Sequence, residues 1–139
     1  MVRKKLLTPR ALVAVTILSV LAGAIACRPR DPLKIKTIQT GRTLNSDNSV
    51  GTHTMRFKPD DTMFVAVLTE GRGAGTFVAR WMYAGRLVNE ETRKVSSYAD
   101  HAATEFHIKN SSGFPAGDYT VEILQDGKSI GIRNLRVDK

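Results

Sequence analysis

Few side chains in this 139-residue chain have chemical reach: one cysteine, Cys27, three histidines, and carboxylates set beside one another or beside a histidine. Asp60 and Asp61 are adjacent acids of the kind that can divide acid and base work. Neighbours on an extended backbone point to opposite sides, however, and Pro59 marks a turn, so turn and strand-edge roles are expected. Asp100 beside His101 is the one acid–base pair, and an enzyme built on it is the least favoured reading. In DHAATEFHIK, His101, Ala103, Glu105 and His107 share a face that should meet water. Six residues at about 3.3 Å part the two histidines by roughly 20 Å, too far for one metal ion with bonds of about 2 Å. His53 stands alone. Gly71, Arg72, Gly73, Ala74 and Gly75 have the glycine content of a phosphate loop, but such a loop leads into a helix N-terminus, and Thr76 opens an extended pattern. A hairpin is expected there. Nucleophilic catalysis needs a nucleophile, a base and an orienting group, and no serine lies in a nucleophile-elbow sequence. No catalytic residue, metal site or cofactor is implied.

The cysteine is different, because its surroundings are ordered by charge. Arg3, Lys4, Lys5 and Arg10 are followed by an uncharged run from Ala11 to Cys27, and then by Arg28 and Arg30. A basic start, an apolar stretch and small residues before a cut is the layout of an export signal. Ala24, Ile25, Ala26 and Cys27 resemble the lipobox of a bacterial lipoprotein precursor, with alanine where leucine is more usual. The resemblance implies a signal peptide over 1–26, lipid on Cys27 and a mature protein tethered to a membrane by two or more acyl chains, enough for firm anchoring. Arg28, in place of the aspartate that marks inner-membrane retention, implies outer-membrane sorting, facing the periplasm. The alternative is an uncleaved single-pass anchor, for which the uncharged run is at the short limit of about 17–25 residues.

Removal of 1–26 would leave 113 residues, enough for one domain with its own core. Four of the 21 basic residues lie in the leader, so the net charge falls from +8 to +4. Beyond the leader no run of like charge exceeds two, and no clustered basic face with aromatic platforms is present, so a nucleic-acid partner is not expected. Residues 27–32 are the cysteine and a short proline-stiffened spacer, RPRDP, whose five residues would span only about 15 Å.

From Leu33 onward, short apolar or alternating runs separated by turn residues predict an all-β domain over 33–139. Strands are expected at 33–40, 62–69, 75–84, 86–90, 92–98, 102–109, 118–125 and 128–137, with a mobile loop over 41–56. In GTFVARWMYA, Phe77, Ala79, Trp81 and Tyr83 share a face, which places Trp81 in the core. In GDYTVEIL, Tyr119, Val121 and Ile123 do the same, and the apolar TMFVAVLTE reads as a central strand covered on both sides.

The tryptophan on the third of these strands and the GxYxV segment on the penultimate one resemble an immunoglobulin-like antiparallel sandwich of seven or eight strands. The resemblance implies that Trp81 packs between the sheets and that Tyr119 makes a corner hydrogen bond. The bridging cysteines are missing; Val121, and Val65 or Val67, stand in their places, as in fibronectin-like and bacterial variants. Phe114, before Pro115 and Gly117, is expected to pack beneath the corner and, with Tyr98, to be a candidate contact residue. Two functional readings follow. One is a lipid-anchored, non-catalytic module that contacts another envelope protein through loops or an edge strand. The other is a module for a glycan, lipid or small anion, using loops 70–75 and 110–117 and a pocket of Phe114, Tyr98 and Arg72.

Overall fold

A computed structural model describes residues 33–96 and 100–139. The expected leader, Cys27, the spacer and Tyr98 lie outside the described residues. Eight strands follow one another: β1 (Lys34–Gly41), β2 (Arg56–Phe57), β3 (Met63–Glu70), β4 (Gly75–Tyr83), β5 (Arg86–Val95), β6 (His101–Ile108), β7 (Gly117–Gln125) and β8 (Lys128–Val137). They form a three-stranded sheet in the order β1-β3-β6 and a five-stranded sheet in the order β2-β8-β7-β4-β5. All pairings are antiparallel except β2 with β8.

Alternation decides which side chains meet between the sheets. Met63, Val65 and Val67 of β3 and Phe106 and Ile108 of β6 face Phe77, Ala79 and Trp81 of β4 and Tyr119, Val121 and Ile123 of β7, all in one buried cluster. Val121, Val65 and Val67, the residues in the cysteine positions, are fully enclosed there. β3 is the middle strand of its sheet, and its outward residues Phe64 and Leu68 are half-buried.

Two expectations are corrected, and one strand was not foreseen. Residues 86–90 and 92–98 are not two strands: β5 runs unbroken through Glu91 to Val95. The expected break falls at Glu91, within a polar stretch that shows no apolar period, but β5 is an edge strand and has little core to fill. β2 is too short for any periodicity to reveal it, and is fixed by Arg136 N donating to Met55 O at 2.8 Å and Asp138 N to Phe57 O at 2.9 Å. The segment 41–56 is not a free loop. It folds on itself at the Leu44–Val50 bridge and joins the end of β1 at Gly41–His53, and Val50 is only 3% exposed. Val50 N donates to Gln39 Oε1 at 3.0 Å, so the segment covers the outer face of the three-stranded sheet.

Candidate functional site

The hairpin between β4 and β5 turns at Ala84 (φ 47°) and Gly85 (φ 76°), a left-handed pair matched to the twist of the strands. It carries Tyr83 to one end of the sandwich, where β6 ends and β7 begins. The link between those two strands is folded by local bonds: Gly113 N donates to Asn110 O, Ser112 N to Asn110 Oδ1, and Phe114 N to Pro59 O at 2.7 Å. Tyr119 Oη donates to Pro115 O at 2.9 Å, which is the corner bond expected of this residue. Tyr83 Oη donates to the neighbouring Ala116 O at 3.1 Å. The two tyrosine rings stack at 4.5 Å, and Phe114 meets Tyr119 edge-on at 5.9 Å. Burial, with Tyr83 adding to it, raises the Tyr119 pKa above the usual phenol value, so the corner donor stays protonated. Gly117 (φ 141°) is needed here, since a Cβ would also press to 3.1 Å from Tyr83 Cε2.

A cleft of about 680 Å³ opens between this corner and the start of β5. Tyr83, Phe114 and Tyr119 supply rings, Val88 and Asn89 come from β5, and the end of β6 with its following loop adds the stretch 107–110. Lys109 and His107 bring positive or protonatable groups, and no carboxylate is among the lining residues. His107 Nδ1 lies 2.9 Å from Glu105 Oε2, and its ring packs against Phe64 at 5.4 Å between centroids. Val88, at the mouth, is 50% exposed.

Among the candidate contact residues, Phe114 and Arg72 are not brought together. Phe114 is 8% exposed, packed beneath the corner as expected, and lines the cleft. Arg72 is at the other end of the sandwich, in the β3–β4 turn, where its Nε lies 3.3 Å from Asp100 Oδ1. Along the nine residues of β4 the two ends are separated by roughly 25–30 Å. Loops 70–75 and 110–117 therefore cannot build one pocket, and the shared pocket that would favour the ligand-binding reading is not formed by Phe114 and Arg72. Sequence reasoning missed Tyr83, Asn89 and Lys109; a Tyr-Ala-Gly turn directly before a strand edge was the available signal for the first.

The other chemically suggestive residues hold the structure. Around Gly71–Gly75, Thr76 N donates to Asp126 Oδ1 at 2.8 Å, so a carboxylate already takes that amide. His101 does not pair with Asp100; it lines a separate notch with Asp47 and Ser49. There Ser49 Oγ donates to Asp47 Oδ1 at 2.5 Å and Ser49 N donates to the same oxygen at 2.9 Å. These bonds lower the Asp47 pKa. Among the described residues no three metal-ligating side chains converge.

Asp61 ties the covering segment to a turn. It accepts from Lys58 N at 2.7 Å and from Arg42 Nε at 2.8 Å, while Asp60 stays exposed. Burial alone would raise the Asp61 pKa, but the Lys58 amide and the Arg42 guanidinium outweigh it and hold it below the usual value. A depressed folded pKa contributes stability above the unfolded value of about 3.9 that is lost as pH falls through the folded one. Asp61→Ala is accordingly expected to cost about 1–2 kcal/mol at pH 7. In urea titrations the gap between wild type and variant should narrow by pH 3; a gap independent of pH would mean that the carboxylate charge is not what binds the turn.

The two sheets, the Greek-key order, the buried tryptophan and the tyrosine corner make this domain an immunoglobulin-like β-sandwich. An immunoglobulin-like protein from Pseudomonas aeruginosa has a similar structure, with a TM-score of 0.52 at 10% identity over 78% of this chain and 98% of that one. The likeness is one of fold. Part of the alkylpurine DNA glycosylase AlkC from Pseudomonas fluorescens, in a complex with DNA containing an abasic-site analogue, aligns with a TM-score of 0.46 at 12% identity, over 77% of this chain and 30% of that one. No protein-family model matches the sequence, and no curated protein does.

Proposed function

We propose that this chain is a lipid-anchored, non-catalytic protein of the bacterial cell envelope, tethered through Cys27 to the outer membrane on its periplasmic side. Its immunoglobulin-like domain receives an extended, acidic segment of another envelope protein in the cleft at the β6–β7 corner. The cleft carries this reading: rings of Tyr83, Phe114 and Tyr119 for apolar contact, Lys109 for a carboxylate, and no lining acid to repel one. Val88 at its mouth offers exposed apolar surface beside the edge of β5. The chain enters the domain at Leu33, at the Arg72 end, so the cleft lies a strand's length from the tether. The amides of Asn89 and Asn110 beside the rings favour a second occupant, a glycan.

Fatty-acid labelling in a bacterial host, wild type against Cys27→Ser, tests the anchor, and loss of label in the variant is expected. A photocrosslinking residue at Asn110 tests the cleft. Its adduct with an envelope protein is expected to disappear on Val88→Arg and Lys109→Glu and to persist on Arg72→Glu at the opposite end. Label retained without Cys27 removes the anchor from the proposal. Adducts indifferent to Val88 and Lys109, or competed away by soluble glycan, remove the protein segment.

A further inference from the structure

β5 ends the five-stranded sheet, and nothing among the described residues pairs with its outer edge. Its pairing with β4 has one irregularity: Asn89 faces Trp81 while Leu87 faces Met82, so Val88 is the extra residue of a bulge. Beyond the bulge the strand is regular from Asn89 to Val95, and Thr92 is its midpoint.

Read outward from Thr92, the charges invert. Glu91 and Glu90 lie on one side, Arg93 and Lys94 on the other. An antiparallel strand with the same sequence, centred on the same threonine, sets Glu91 against Arg93 and Glu90 against Lys94, and each pair occurs twice. The faces agree as well. Glu90, Thr92 and Lys94 point to the outer face of the sheet, opposite Arg80, Val78 and Thr76, whereas Glu91 and Arg93 point inward, opposite Ala79 and Phe77. Moving the centre by one residue, a register shift of two, keeps the faces but places Glu91 on Glu91 or Arg93 on Arg93. Opposite charges directly across a ladder stabilise it and like charges destabilise it, so the pattern selects one register.

We infer that the domain pairs with a second copy of itself through β5, antiparallel about Thr92, joining two five-stranded sheets into one of ten strands. Charged residues on an edge, some pointing inward, are also a guard against unwanted pairing. A guard has no need of charges that invert about the midpoint of the regular stretch. The existing partners are compatible with the pairing. Glu90 holds Arg80 at 2.6 Å across to β4, on the side away from the free edge. Lys94 is exposed and has no ion pair among the described residues. Arg93 binds Glu91 within its own strand and lies over the Phe106 ring at 5.6 Å, reaching Glu105 at 3.8 Å. Two copies bring two such Glu91–Arg93 pairs together, each glutamate facing the other copy's arginine. The inference rests on the edge of β5 and stands independently of the cleft and the anchor.

Directly opposed residues on an antiparallel pair have Cα atoms about 4.5–5.5 Å apart, within disulfide reach. Thr92→Cys in the full chain, expressed in bacteria and oxidised mildly in intact cells, is therefore expected to give a dimer on non-reducing gels. The same substitution at Ala74, in the distant β3–β4 turn, serves as the control. Adding Glu90→Lys to Thr92→Cys makes both outer pairs positive, and adding Lys94→Glu makes both negative. Each alone should lower the crosslinked fraction at least fivefold. Co-expression of the two charge variants, one enlarged by a tag, should restore a dimer of intermediate size, because the opposite charges then face each other. That rescue also shows both variants to be folded. A Thr92→Cys dimer no stronger than the Ala74 control, or insensitive to both charge changes, overturns the inference, as does failure of the mixture to recover what each variant loses.

Discussion

Trp81→Ala should be among the most damaging substitutions in the domain, costing about 3–5 kcal/mol. Folded domains hold only about 5–15 kcal/mol in all, so a large share of the stability would go. The reason is position. Trp81 is completely enclosed at the centre of the cluster formed by both sheets, between Val121 on β7 and Asn89 on β5. Truncation leaves a void that strands locked in two ladders cannot close. The same residue contains a built-in control, because its indole Nε1 is buried and finds no acceptor among the described residues. Trp81→Phe keeps most of the ring and removes the unsatisfied donor, so it should cost less than half as much as alanine. Because Trp81 is the only tryptophan, unfolding in urea has to be followed by circular dichroism and not by its fluorescence. Equal losses for the two variants would show that the indole makes a bond that this arrangement does not contain.

The second large effect is expected at Gly41→Ala, about 3 kcal/mol, the upper range for overpacking. A Cβ on Gly41 would collide with the Thr52 carbonyl oxygen and with Val50 Cγ1. The valine could rotate, but the carbonyl belongs to backbone that Arg42 N binds at 3.0 Å. Relief would require lifting the 41–56 segment off β1. Gly73→Ala, where a Cβ meets Leu33 at ordinary contact distance, should change stability by no more than about 0.5 kcal/mol. If Gly41→Ala were as mild, the covering segment would be only loosely applied to the sheet.

These two residues also mark how far the sequence could be read. Trp81, Tyr119 and Val121 were legible because each sits in a run whose alternate residues are apolar, and that period of two is the physical consequence of packing one face of a strand. The corner bond of Tyr119 was legible only through the resemblance that its GxYxV setting carries. Gly41 was not legible: the residues that follow it are polar because one side of the segment meets water, and its attachment to β1 depends on backbone bonds that any residue can make. Val50 alone, in the middle of NSDNSVGT, hinted at something to bury. β5 was divided for the opposite reason, since an edge strand with a polar inward face shows no apolar period. The cleft was half visible. Phe114 was singled out, but which loop shares its end of the sandwich is decided by strand order, and the β3–β4 turn bearing Arg72 falls at the other end.

The parallel pairing of β2 with β8 bears on load. Leu33 enters at one end of the sandwich, and Val137 leaves beside Gly117 at the other. A pull between them therefore runs along the strands. It would slide β1 against β3 and β2 against β8 lengthwise, so that several backbone bonds and the Arg56–Asp138 ion pair at 2.6 Å must give together. A hairpin opened from its turn fails one rung at a time, whereas a ladder loaded in shear fails only when all its rungs do. Pulled between its two ends, the domain therefore resists as two ladders loaded in shear.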